Sequence, residues 1–193
     1  MALDISGIRN IEFYSEHYLE AVLESDLKGV FKRWADDKKE NGRPQPHELL
    51  LQQSVPYFKA SSKAESERDL TTRWEVAREF HAGLLEALGY PYRPGAEPIG
   101  ENEILPVLLT LEKDGSPYLW VVDAPFTENE DDDPFEACPL PGQLPKDNQD
   151  ARLPHENSRT PLNWRSILDG LVFRSENAPR WVMFLAGREI YLV

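Results

Sequence analysis

Two carboxylates, Glu112 and Asp123, flank the stretch of the chain whose local structure is most legible from its residues. Asp114 and Gly115 between two apolar runs form a two-residue hairpin turn, which pairs residues 104–113 antiparallel with residues 116–124. In that register Glu112 faces Pro117, Thr110 faces Leu119, Leu108 faces Val121 and Pro106 faces Asp123. Both acids then fall on one face, and carboxylates from adjacent strands can hold Mg2+, which prefers oxygen ligands. At the strand rise they stand about 20 Å apart, too far for one ion. Asp123 therefore needs another partner, Glu101 or Glu103. Asp123 and Glu103 are the candidate catalytic carboxylates, and Asp123 is the candidate metal ligand. The plainer reading is a solvated Glu112 beside the turn and an Asp123 that ends a strand.

A second chemistry needs cations. Lys28, Lys32 and Arg33, with Lys38, Lys39 and Arg43 beyond them, could line a stripe facing nucleic-acid phosphates, yet Asp36, Asp37 and Glu40 interleave with the group. A solvated helix face explains the same residues. The net charge of −13 opposes a domain that grips nucleic acid with its whole surface. Residues 1–100 hold 13 basic and 17 acidic side chains and residues 101–193 hold 8 and 17, so the acidity is concentrated in the second half. His17, His47, His81 and His155 show no metal-ligand spacing. Cys138 is the only cysteine, which excludes an internal disulfide and a zinc site built on several thiolates. No glycine-rich phosphate loop, dinucleotide fingerprint or zinc-protease motif occurs.

The elements that would position these groups divide the chain in two. Tyr18, Leu19, Val22, Leu23, Leu27, Val30, Phe31 and Trp34 recur at helical spacing, with Ser15 as a cap and Gly29 as a possible break. Pro44 and Pro46 stop that run; a second helix follows over 47–60 and a third over 68–88, ended by Gly89 and Pro91. Short runs rich in Val, Leu and aromatics then signal strands, and the hairpin, apolar on both faces, predicts cover on both sides. Residues 127–157 contain nine acidic and two basic side chains and five prolines, a composition that predicts a flexible acidic loop. A short helix from Pro161 to about residue 171 and strands at 181–185 and 189–193 complete the pattern. The expected fold is α+β: a helical subdomain over 1–100, then a small mixed sheet over 101–193 interrupted by the acidic loop 127–157. No apolar run is long enough to span a bilayer and nothing marks the start for secretion, so the expected location is cytoplasmic and no membrane partner is expected. The chain ends inside an apolar strand, as a piece of a longer protein would.

Helices, a hairpin, a helix and further strands is also a nuclease-like order. In the restriction-endonuclease-like fold a strand ends in an acid, one residue and a lysine, the acid binding metal and the lysine activating water. Here the run is Val121, Val122, Asp123, Ala124, Pro125, and proline can supply neither charge nor donor. The stretch Ile8-Arg9-Asn10-Ile11-Glu12-Phe13-Tyr14-Ser15-Glu16-His17-Tyr18-Leu19, continuing through Leu23, Asp26 and Leu27, resembles the opening of large bacterial type IIG-like restriction-modification adenine DNA methylases. The likeness continues at Leu105-Pro106-Val107-Leu108, Leu119-Trp120-Val121-Val122, Arg180-Trp181-Val182 and Ile190-Tyr191-Leu192. It implies an N-terminal module, restriction-endonuclease-like and with a vestigial centre at Asp123 and Glu103, that reaches DNA through its parent protein. Its partner would be a downstream methyltransferase domain that binds S-adenosylmethionine. Neither the glycine-containing cofactor motif nor the Asn-Pro-Pro-Tyr type motif occurs in this chain, so it should not methylate DNA by itself and carries no cofactor of its own. The alternatives are a protein-interaction module without DNA chemistry, its acidic loop meeting a basic partner, and an active Mg2+-dependent nuclease.

Overall fold

The computed structural model describes residues 7–11, 13–100, 103–129, 131–145, 152–154 and 161–193. Helices come first and a sheet follows, so the architecture is α+β with a mixed sheet. The chain divides into two units at Leu49/Leu50, rather than at residue 100 where the change from helical to strand patterning falls.

In the first unit one turn of π-helix, Tyr18–Val22, leads into α1, Leu23–Asn41. The expected break at Gly29 does not occur: the helix runs through it and ends at Gly42, whose N–H bonds to the Lys38 carbonyl. No residue of the π-turn or of α1 is buried. Pro46 opens α2, Pro46–Gln52, which crosses the boundary, and the single run expected over 47–60 is two helices, because α3, Ser54–Ser66, already in the second unit, starts afresh after Gln53.

The second unit is organised by α4, Leu70–Ala87. Asp69 caps it, its carboxylate accepting from the Thr72 N–H at 2.7 Å and the Thr72 hydroxyl at 2.8 Å. Those bonds, the backbone one foremost, hold the Asp69 carboxyl below its ordinary range. Residues 91–100, rich in proline and glycine, contain β1, Gly95–Pro98, which pairs with β2, Ile104–Val107. The single strand expected over 104–113 is interrupted at Leu108, where the chain changes partners. The Leu108 N–H bonds to the Val121 carbonyl at 2.7 Å, while its own carbonyl accepts from the Arg93 N–H at 3.0 Å. Beyond it β3, Leu109–Lys113, pairs with β4, Ser116–Asp123, across Asp114 and Gly115, both at positive φ as the tight turn requires.

Glu112 opposes Pro117 as expected, but a register shift follows: Leu111 opposes Leu119 and Leu109 opposes Val121. Tyr118 is the extra residue of a β-bulge, which slips the upper ladder by one place. Leu109 and Leu111 thereby join Leu119 and Val121 on the α4 side of the sheet, and strand alternation turns Glu112 to the other side. The inferred common face for Glu112 and Asp123 is corrected accordingly.

The sheet order is β3-β4-β5-β6, with β5 at Trp181–Ala186 and β6 at Glu189–Leu192; β4 and β5 are parallel and the other pairs antiparallel. The crossover between them includes α5, Trp164–Ile167, capped by Asn163 and continued by a π-turn, Leu168–Val172. Trp164, Ile167, Leu168 and Val172 pack against Trp120, Val122, Val182 and Phe184 on one face of the sheet. Leu84 and Leu85 of α4 pack against Leu119, Val121 and Leu185 on the other. Both faces are covered, as an apolar hairpin demands.

The crossover also contains the segment expected to be a flexible acidic loop, and over 131–145 it is built differently. Two short 3-10 turns, Pro134–Glu136 and Pro141–Gln143, bring Phe135 against Phe184 and Tyr191, at 4.7 and 4.8 Å between ring centroids. Arg165 of α5 lies over the Phe135 ring and pairs with Asp133 and Glu136. A few anchored side chains and neutralised acids offset the ordering cost that composition alone leaves uncompensated.

Candidate functional site

Asp123 ends β4 on the α4 side, with 3% of its surface exposed. Trp74 and His81 come from α4, two turns apart on the helix face turned to the sheet. The Trp74 indole N–H donates to Asp123 Oδ2 at 3.1 Å. Gln143, brought in by the second 3-10 turn and equally buried at 3%, donates from Nε2 to the Asp123 carbonyl at 2.9 Å and to Oδ1 at 3.2 Å. Its own Oε1 accepts from the Leu140 N–H at 2.6 Å, so both ends of the amide are engaged. Pro125, where a nuclease would carry its lysine, is buried two residues on.

His81 completes the group. Gly187, in the β5–β6 turn, donates its N–H to His81 Nε2 at 3.1 Å. A nitrogen that accepts carries no proton, so neutral His81 holds its proton on Nδ1, which faces Asp123 Oδ2 at 3.6 Å. The pair superficially resembles a base oriented by a carboxylate, but the nitrogen that would take a proton from a nucleophile is committed to a backbone N–H. His81 is 1% exposed. The arrangement therefore ties β4, α4, the crossover and the β5–β6 turn together.

A metal ligand requires something else. Mg2+ keeps several waters and takes its carboxylates from an open face, whereas both oxygens of Asp123 already accept from buried side chains. Glu103 is half-buried and sits outside the strands, in an isolated bridge with Arg152, its carbonyl accepting from the Ile99 N–H at 3.0 Å. None of the polar contacts of Asp123 is to Glu103. Glu101 lies outside the described residues. Among the described residues, no group of three or more His, Cys, Asp or Glu side chains could hold a metal ion.

The other sequence candidates fall on exposed surface. Lys28, Lys32 and Arg33 are exposed on α1, while Lys38 pairs with Glu48 and Arg43 with Asp37 at 3.7 Å. Burial, and secondarily the charge of Glu136, raises the Cys138 thiol above its ordinary range, the reverse of an activated nucleophile. A groove between α3 and α4 is lined by Val55, Lys59, Lys63, Val76, Glu79 and Phe80 and includes neither Asp123 nor its partners. Among the described residues no helix is long and apolar enough to cross a membrane.

His81 had a readable signal: it continues the series Trp74, Ala77, Leu84 at helical spacing on an otherwise apolar face. A polar residue in that stripe must find a buried partner, and Asp123 inside an apolar strand must find one too. Gln143 gave no such signal, since its burial depends on how the crossover folds. Comparison of the chain with family models, with curated proteins and with solved structures gives no match.

Proposed function

We propose that this chain is the N-terminal accessory module of a DNA restriction-modification methylase, a degenerate nuclease-like domain that docks and positions its parent on DNA and does not cut. The observation that carries the non-catalytic part is the enclosure of Asp123, whose two oxygens are held by Trp74 and Gln143. Proline at position 125 agrees with it, because the residue cannot serve a cleavage reaction. The parent assignment rests on the resemblance that runs from Ile8 to Leu27 and recurs along the sheet strands. Binding of S-adenosylmethionine and transfer of its methyl group to adenine belong, on this reading, to the downstream domain, and the setting is cytoplasmic defence against foreign DNA.

The rival in which the acidic loop attracts a basic partner loses part of its basis, since Asp133 and Glu136 are already paired with Arg165. The coding sequence beyond the Val193 codon tests the assignment. An Asn-Pro-Pro-Tyr type motif preceded by a glycine-containing cofactor motif is the expected result; an immediate stop codon removes the parent and the reading with it.

A further inference from the structure

The first unit contains a helix with an apolar side on which, among the described residues, no side chain is buried. Leu23, Leu27, Val30 and Trp34 follow one another at intervals of four, three and four along α1, the seam of a two-helix coiled coil, with Phe31 at its edge. None of them is buried: Leu23, Leu27 and Val30 are half-buried, and Trp34 and Phe31 are 37% and 38% exposed. A single helix of this length is marginal in water, so the stability of α1 has to come from something that covers the seam.

The charges beside the seam indicate what covers it. Asp26 and Arg33 lie on the same flank, one heptad apart, and Arg33 forms no salt bridge among the described residues. Among the described residues Asp26 accepts only the Tyr18 hydroxyl, at 3.1 Å, and a carboxylate has capacity for further donors. When two copies of α1 are laid antiparallel about a two-fold axis, Leu23 meets Trp34 and Leu27 meets Val30. Asp26 of each copy then comes within about 3 Å along the axis of Arg33 of the other. The two ion pairs are symmetric, as an isologous interface requires. A parallel pair would instead set Arg33 against Lys38 of the second helix, which is repulsive. Lys28 and Lys32 point away from the seam in either case.

We propose that α1 is a self-association surface through which two copies of this chain pair antiparallel, sealed by reciprocal Asp26–Arg33 ion pairs. The inference holds whether or not the methylase reading does. Sedimentation equilibrium of the purified chain over a wide concentration range tests it. The wild type should show a concentration-dependent dimer. Val30→Glu places a charge in the seam and should leave a monomer, with the circular dichroism of the second unit intact because Val30 is not part of a buried core. Asp26→Arg and Arg33→Asp should each weaken association by roughly tenfold, and the double variant carrying both should recover it. A wild type that stays monomeric at the highest concentration, a dimer indifferent to Val30→Glu, or a double variant no stronger than the single ones would each overturn the proposal.

Discussion

Asp123→Ala is expected to cost about 3 to 5 kcal/mol of folding stability, a loss measurable by urea denaturation of the purified chain. The substitution removes one acceptor group and strands two buried N–H donors, that of the Trp74 indole and the Gln143 N–H aimed at Oδ1, while the Gln143 bond to the Asp123 carbonyl remains. Neither can turn to water, because Trp74 and Gln143 are 4% and 3% exposed. Each unsatisfied donor costs about 1 to 3 kcal/mol, and the cavity left by the carboxylate adds to the sum. Asp123→Asn keeps one oxygen and the volume, so it should lose distinctly less. A surface or catalytic aspartate behaves in the opposite way: its removal leaves stability nearly unchanged. The denaturation midpoint therefore separates a structural Asp123 from a functional one without any knowledge of substrate.

Gly187→Ala should cost about 3 kcal/mol, by a different route. Gly187 sits at φ +62°, where an L side chain is strained, and a Cβ there would stand 2.5 Å from Cδ1 and 2.8 Å from Cγ of Phe126. Phe126 is 2% exposed, packed with Ala60, Ala64, Val76 and Ala77, and cannot give way without disturbing α3 and α4. Relief by moving the turn would instead break the Gly187 N–H bond to His81. Gly115→Ala provides the control. Its φ is +77° but nothing lies within 4 Å of the added carbon, so backbone strain alone, about 1 kcal/mol, should be lost. A Gly187 variant no worse than the Gly115 variant would show that the β5–β6 turn has room to move and does not fix His81.

The two expectations locate the same knot from its two ends, and they bear on what was legible in the sequence. The turn at Asp114 and Gly115 was readable because only a few residue types tolerate positive φ in succession. The third helix was readable because its apolar residues keep a period near 3.6 and Gly89 and Pro91 stop it. The bulge at Tyr118 was not: a register is set by what packs on both faces, and hairpin arithmetic counts residues without knowing which one is left unpaired. The same limit hid β1, whose Gly95, Ala96, Glu97 and Pro98 have poor strand preference and are extended only because β2 pairs with them. The crossover was misjudged for a related reason. Its composition averages over thirty residues, while its order over 131–145 depends on Phe135 and Gln143 finding places in a core formed by other elements.

At the site itself the sequence supplied Asp123 and the missing lysine at Pro125, but not the consequence of burial. An acid at the end of an apolar strand reads equally as a metal ligand or as a buried acceptor. What decides between them is the presence of Trp74, His81 and Gln143, forty-nine, forty-two and twenty positions away along the chain. Lys28, Lys32 and Arg33 show the converse: their exposure on α1 was expected, and the same helix carries an apolar seam, flanked by Arg33, in which no residue is buried.

The most direct test of the enclosed carboxylate is the nuclear magnetic resonance signal of the Trp74 indole N–H, assigned by Trp74→Phe, during titration with Mn2+ as a paramagnetic substitute for Mg2+. The indole nitrogen lies 3.1 Å from Asp123 Oδ2 and directs its hydrogen there, so an ion held by that carboxylate would broaden the signal beyond detection at substoichiometric metal. The account predicts a Trp74 signal that keeps its position and intensity, with any broadening confined to residues beside exposed acids. Selective loss of the Trp74 signal, reversed by a chelator, would place a metal on Asp123 and contradict the account.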